Sequence, residues 1–329
     1  MEGAFETLRK ERLRSAARYA KLISYKDPDV AKSAEIRFIE ATILRQVEGD
    51  VSAENLLRLI TKDADADSAE KINATRELRI SDAVSRQKKN LEQLNTIRLL
   101  SAAKAIVRPH LDGQLDDDVW QDSMSNGKVI FQRMIEGAGA KPKTDIVVFS
   151  YDDEFLYVAG RCQKIVGQSY LLTEAPRPRD PKLSDRDRVE IAIDIDRDYR
   201  SAFEFTIDYR GWVRDGCSGS SGWDPRWYVA AHHEQKAWSF ECAIPLSELN
   251  LSKIADVNDG QIVAVSLQRK NYQSKQLWNV DANDSGKKKE VVASGLMHSL
   301  RLSNRKYSLL GLGTADTAKT EKSKVKPKQ

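Results

Sequence analysis

The chain has 329 residues, a formal net charge of +4, 31% charged and 40% hydrophobic residues, which is enough for two domains or for one domain with a large appendage. Five lysines in the closing AKTEKSKVKPKQ account for a surplus of that size. The remainder is close to neutral, which argues against the clustered basic face of a nucleic-acid binder. The first residues, MEGAFETLRKERLRSAARYAKL, lack the apolar centre of an export signal. No run of about eighteen apolar residues occurs, so insertion into a membrane is not expected. Cys162, Cys217 and Cys242 are three widely spaced thiols. Their spacing suggests neither a zinc site nor a disulfide framework, and a bridge between two of them stays open.

Helical periodicity fills the first hundred residues. Phe5, Leu8, Ala16, Ala20 and Ile23 recur at three- and four-residue steps among arginines and lysines, the pattern of an amphipathic helix. Asp27-Pro28-Asp29 stops it. A second helix is expected with Ile36, Ile39, Ile43 and Val47 on its packed face and Gly49 closing it. A third, short helix covers ENLLRLI, and apolar residues from Ile72 to Leu100 predict one or two longer helices. This region, residues 1–105, is expected to form helical hairpins or a bundle, weakly similar to tetratricopeptide-type repeats.

After Val107 the period changes to two. TDIVVFSYD, EFLYVAGRC, RVEIAIDID, SAFEFTIDYRG, WYVAAHH, AWSFECAIP, QIVAVSLQR and LMHSLRLS are short, rich in β-branched and aromatic residues, and separated by Asp, Gly, Asn and Pro. Eight such strands predict an antiparallel β-sandwich. Residues 305–329 are expected to form a linker and a disordered lysine-rich tail, because so few apolar groups cannot offset ordering entropy.

The order of these motifs carries a resemblance. LDGQLDDDVW at the entry, the TDIVVFSYDDEFLYVAGRC hairpin, DRVEIAIDID, FEFTIDYRGWVRDG, AWSFECAIPLSEL, IVAVSLQRKN and LRLS follow one another. Over about residues 106–304 the chain resembles the family 9 carbohydrate-binding module and the wider DOMON-like group. That resemblance implies a non-catalytic, sugar-binding β-sandwich found beside glycoside-degrading domains, in a periplasmic or extracellular polysaccharide system if the chain is a piece of a longer exported protein. It also implies that Gly113 makes a left-handed turn, that Asp116, Asp117 and Asp118 cap a short helical turn, and that Trp120 enters the core.

Sugars are held by aromatic faces and by planar polar groups that pair with vicinal hydroxyls. The resemblance places Glu190 and Gln268 at sugar-contacting positions, with Arg269 beside them. The two clamp tryptophans of the family are missing: Lys182–Arg186 stands at one position, and DANDSGKKKEVVASG holds no tryptophan at the other. Thr206 replaces a family arginine. Trp223 and Trp227 in GSSGWDPRWYV and Trp278 in QLWNVD are the candidate substitutes, each with a packing role as the alternative.

Other readings are weaker. Glu190 and Glu241 are acids on different strands, but nothing in the sequence fixes the separation that glycoside hydrolysis requires. No cofactor is expected. A calcium built on Asp116–Asp118 would need loop backbone to complete it, and a haem site using Met134, His232 or Met297 matches no ligand motif. The remaining competitor is a protein-interaction adapter, using the sandwich or reaching a protein partner through the N-terminal helices.

Overall fold

The computed structural model describes residues 2–48, 50–63, 68–85, 99–126, 129–133, 143–173, 176–251, 261–270 and 308–312. Helices α1 (Glu2–Lys26), α2 (Pro28–Ala31), α3 (Ala34–Glu48), α4 (Asp50–Asp63) and α5 (Ala69–Ser85) precede a β-sandwich. The break after α1 follows from Asp27, whose carboxylate accepts the Val30 N–H at 3.0 Å, and from Pro28 at the first helical position. The helices meet over Phe38, Ala41, Ala53, Leu57, Ile60 and Ala74. Alanines at the crossings let the backbones approach closely.

The packed face of α3 is not the expected one. Phe38 and Ala41 are buried, whereas Ile39 and Val47 are 37% and 41% exposed. This helix is apolar on more than one side, so periodicity alone did not select the side that meets α4.

The sandwich strands are β1 (Leu99–Lys104), β2 (Val129–Arg133), β3 (Lys143–Tyr151), β4 (Phe155–Gln163), β5 (Arg188–Asp194), β6 (Phe203–Asp208), β7 (Val213–Cys217), β8 (Tyr228–His233), β9 (Ala237–Pro245), β10 (Gln261–Lys270) and β11 (Ser308–Leu312), with α6 (Asp118–Asn126) between the first two. One layer runs β7-β6-β5-β10-β11-β1 and the other runs β1-β3-β4-β9-β8, with β2 also beside β3. β1 serves both layers: Leu99–Ala102 pair in parallel with β11, and Ala103 and Lys104 pair with Ser150 and Tyr151 of β3. The other ladders are antiparallel.

Seven of the eight expected strands lie where the alternation placed them. LMHSLRLS lies outside the described residues, as do 86–98 and the lysine-rich tail. The sandwich exceeds its expected limits of 106 and 304 at both ends, because β1 and β11 are partners. LLSAAK has no strand character of its own; its pairing defines it.

The main core lies between the layers. Val189, Ile191 and Ile193 of β5, Phe205 and Ile207 of β6, and Val263, Val265 and Leu267 of β10 face Val147, Phe149, Val158, Trp238, Phe240 and Ile244. A second apolar layer covers the outer side of β3, β4 and β9, where Trp120, Val148, Tyr157, Ala159 and Ala243 pack together. β9 is therefore buried on both faces.

The helices rest on the loop between β5 and β6. Glu77 of α5, 2% exposed, pairs with Arg45 of α3, accepts from Arg197 Nε at 3.2 Å and from the Tyr199 hydroxyl at 2.7 Å. Arg45 also donates to the carbonyl of Asp196, and Arg200 reaches Glu35 at 2.6 Å and Glu70 at 3.3 Å. Removing Glu77 would leave buried guanidinium groups without their carboxylate. Glu77→Ala is expected to lower stability by about 3–5 kcal/mol, seen in urea unfolding as an early transition of the helices ahead of the sandwich.

Candidate ligand-binding site

The entry segment shows what its acids do. Residues 105–117 form no strand; they cross the outer side of β9 as irregular chain and lead into α6. Gly113 has φ +85°, and a Cβ there would fall 2.5 Å from the Ala231 carbonyl carbon, so turn and close approach both call for glycine. Its N–H donates to Glu241 Oε2 at 2.6 Å, and its carbonyl accepts from Ser239 Oγ at 2.6 Å. Trp120 is fully buried and donates from Nε1 to Glu241 Oε1 at 2.5 Å. Asp117 accepts the His110 N–H at 3.0 Å, so its side chain ties the entry turn rather than capping α6, while Asp116 and Asp118 are exposed.

Glu241 is thus the anchor of the entry segment. Burial pushes its carboxyl up to about 7, against hydrogen bonds from Gly113, Trp120 and Asp112. Fully enclosed on β9, it sits in the layer opposite Glu190 of β5. No hydrolytic acid pair follows from that placement.

Arg269 stands in the interior rather than at a sugar-facing surface. It is 1% exposed, and its three nitrogens make five contacts: Nε and Nη2 to Asp187 at 2.9 and 2.6 Å, Nη1 to both Asp145 oxygens at 2.8 and 2.7 Å, and Nη2 to the Gln163 carbonyl at 2.8 Å. Asp187 also accepts from Trp238 Nε1 at 2.9 Å and the Tyr170 hydroxyl at 2.7 Å. All three of its nitrogens are engaged inside the protein.

Glu190 and Gln268 are cross-strand neighbours on the outer face of their layer, followed across the sheet by Thr206 and Arg214. Glu190 is held by Arg188 Nε at 2.9 Å and Lys270 Nζ at 2.5 Å. Gln268 is buried, as is Ser266, whose hydroxyl has no hydrogen-bond partner among the described residues.

The tryptophans take the other side. Trp223 packs on Phe203 and Phe205 with ring centroids 5.0 and 5.6 Å away, and Trp227 lies 4.9 Å from Phe205. Both border the inter-layer core, so they do not share a face with Glu190 and Gln268. Trp278 lies outside the described residues.

Trp227 does meet the loop after Pro178. Arg177, Arg179, Asp180, Asp215, Asp224 and Trp227 line a cleft of about 270 Å³. Asp215 Oδ2 accepts from Trp227 Nε1 at 3.1 Å, and its buried Oδ1 has no hydrogen-bond partner among the described residues. Burial raises the Asp215 carboxyl, with Asp180 and Asp224 adding to the effect. Arg179 bridges to Asp224 at 2.8 Å. Sequence reasoning named Trp227 but missed Asp215, whose VRDGC strand carries no signal apart from its neighbours.

His233 donates from Nε2 to the Tyr209 carbonyl at 2.7 Å, and its neighbour His232 is half-buried on β8. Met134 and Met297 lie outside the described residues. Cys162 and Cys242 are buried and Cys217 is half-buried, and none of the three is in a disulfide.

No protein-family model and no curated protein matches the chain. Among solved structures it is similar to a family 9 carbohydrate-binding module from Caldicellulosiruptor kristjanssonii in complex with cellotriose, at 16% identity and TM-score 0.37 over 55% of this chain and 80% of that one. The glucose complex gives 16% identity and TM-score 0.33 over 54% and 82%. A candidate carbohydrate-binding protein from Bacteroides uniformis gives 8% identity and TM-score 0.40 over 66% and 99%. Similarity this distant says nothing about what the chain binds.

Two outcomes follow. Arg269→Leu leaves two buried carboxylates without their cation and is expected to cost about 3–5 kcal/mol in chemical denaturation. Because Glu241 has a folded pKa above the ordinary 4.5, the folded state binds more protons there, and its contribution is lost as pH rises from about 4.5 through 7. The difference in stability between pH 5 and pH 8 should therefore shrink in Glu241→Gln, measured by urea titrations at both values.

Proposed function

We propose that the sandwich is a non-catalytic carbohydrate-binding module and that its sugar site is the cleft between residues 177–180 and 224–227. The observation that carries this reading is the meeting of the Trp227 indole, an Asp215 oxygen with no partner among the described residues, and the planar groups of Arg177 and Arg179 around about 270 Å³. Aromatic surface beside planar acceptors and donors is the chemistry that selects a pyranose over an apolar ligand. A cleft near the lower end of ligand-site sizes suits one or two rings. The motif order noted in the sequence supports the same class. On this reading the protein serves a carbohydrate-degrading system outside the cytoplasm, and any catalysis belongs to an associated domain.

Glu190 and Gln268 offer a second place for the same ligand, on the outer face. A glycan array with the full chain, followed by calorimetry with the best ligand, separates the two. Asp215→Asn and Trp227→Phe should weaken binding about tenfold, or about 1.4 kcal/mol, with thermal melts confirming the fold. Gln268→Ala should leave it unchanged. Loss in Gln268→Ala alone moves the site to the outer face, and absence of binding to any glycan defeats the reading.

One observation favours an additional protein partner. Tyr19, Leu22, Ile23 and Tyr25 of α1 are exposed, as expected if the helices carry an interaction surface.

A further inference from the structure

Pro-Arg pairs flank the cleft on both sides, Pro176-Arg177 and Pro178-Arg179 in PRPRDP and Pro225-Arg226 in WDPRW, and all three arginines line it beside Trp227 and Tyr228. Proline fixes its own φ, so these irregular segments give up less conformational freedom in holding guanidinium groups over the opening. Arg179 is engaged within the protein, bridging to Asp224 at 2.8 Å and lying 3.7 Å from Asp180. The third acid, Asp215, takes the Trp227 indole N–H at 3.1 Å. Each acid of the cleft thus has a partner. Arg177 and Arg226, both exposed, have no ion pair among the described residues. Tyr228 is 54% exposed and is braced edge-on by Phe155, with ring centroids 6.1 Å apart.

We propose that the ligand of this cleft is an acidic sugar, a uronic acid whose carboxylate pairs with Arg177 and Arg226 while its ring lies against Tyr228 and Trp227; this rests on the reading of the cleft as the sugar site. A guanidinium is a planar fork of donors that matches a carboxylate bidentately, where a lysine would offer only a point charge. The acids answer the rest of such a ligand, since carboxylates accept from the hydroxyl groups of the ring. An amino sugar would set its ammonium beside two guanidinium groups that lack a counter-charge, like against like, and is disfavoured. Because both arginines are exposed, water and salt screen the pairing. A preference of about tenfold for the acid over a neutral sugar of the same shape is the expected size.

The test is calorimetry on the full chain with the trimers of galacturonic, glucuronic and mannuronic acid, each set against its methyl ester, a neutral ligand of the same ring shape. Trimers in place of polymers, at about physiological salt, keep the lysines of the closing segment from holding a long polyanion by charge alone. At least one acid should bind about tenfold tighter than its ester, with the preference fading at about 1 M salt. Arg177→Gln and Arg226→Gln should each cut the acid-to-ester ratio about threefold, and the double variant should bring it to about one. A merely structural role would weaken acid and ester together and leave the ratio where it was. Equal binding of acid and ester that Trp227→Phe still weakens overturns the uronic acid and leaves the sugar site standing. A ratio unmoved in the double variant overturns the part given to the two arginines. No binding of any acid, ester or neutral glycan overturns the sugar site itself.

Discussion

The buried guanidinium of Arg269 is the constraint on which the sandwich depends. It comes from β10 in one layer and grips Asp145 of β3 in the other, while Asp187 closes the node at the start of β5. Burying an arginine and two aspartates is unfavourable unless their hydrogen-bonding capacity is filled. Here all three guanidinium nitrogens have acceptors, and Trp238, Tyr170 and the Gln163 N–H at 2.8 Å donate to the carboxylates. The geometry permits one register of the two layers, since a two-residue slip of β10 would carry the cation away from both partners.

A second polar anchor works on the outer side. Glu241 collects the Asp112 and Gly113 N–H groups and the Trp120 indole, so an irregular segment is fastened where no strand partner exists. The apolar layer around Trp120 then covers β9. Burial of both faces explains why AWSFECAI contains an acid and a serine within an otherwise apolar run: each meets the entry segment rather than water. Glu77 does the same for the helices, gathering the β5–β6 loop beneath α3 and α5. Three buried ionisable groups thus define three junctions among the described residues.

The functional consequence is a division of labour between faces. Residues spent on these junctions are lost to ligands, which removes Arg269 and Glu241 from any binding surface. Away from the junctions, Asp215 of β7 and Asp194 at the end of β5 each keep a buried oxygen with no hydrogen-bond partner among the described residues. Unfilled hydrogen-bonding capacity in buried carboxylates is the feature that both the cleft and the β5–β6 loop share.

Alternation of apolar residues placed seven strands, and Asp27-Pro28 placed the first helix break, because these signals are local: a pleat repeats every two residues and proline fixes its own φ. The left-handed Gly113 and the buried Trp120 were legible through the order of motifs. The face of α3 was not, since choosing among apolar sides depends on which helix arrives. Nor was β1, whose LLSAAK becomes a strand by lying between β11 and β3. Candidate residues divide in the same way. Sequence alone determined that Glu190, Gln268 and Arg269 sit on strands and Trp223 and Trp227 beside one; only the tertiary structure decided that the strands of Glu190 and Gln268 are neighbours, that both tryptophans face the core edge, Glu190 and Gln268 the outer face, and Arg269 the interior. Strand alternation fixes which residues share a side, but the side that is buried, and the charge that waits there, come from the opposing layer.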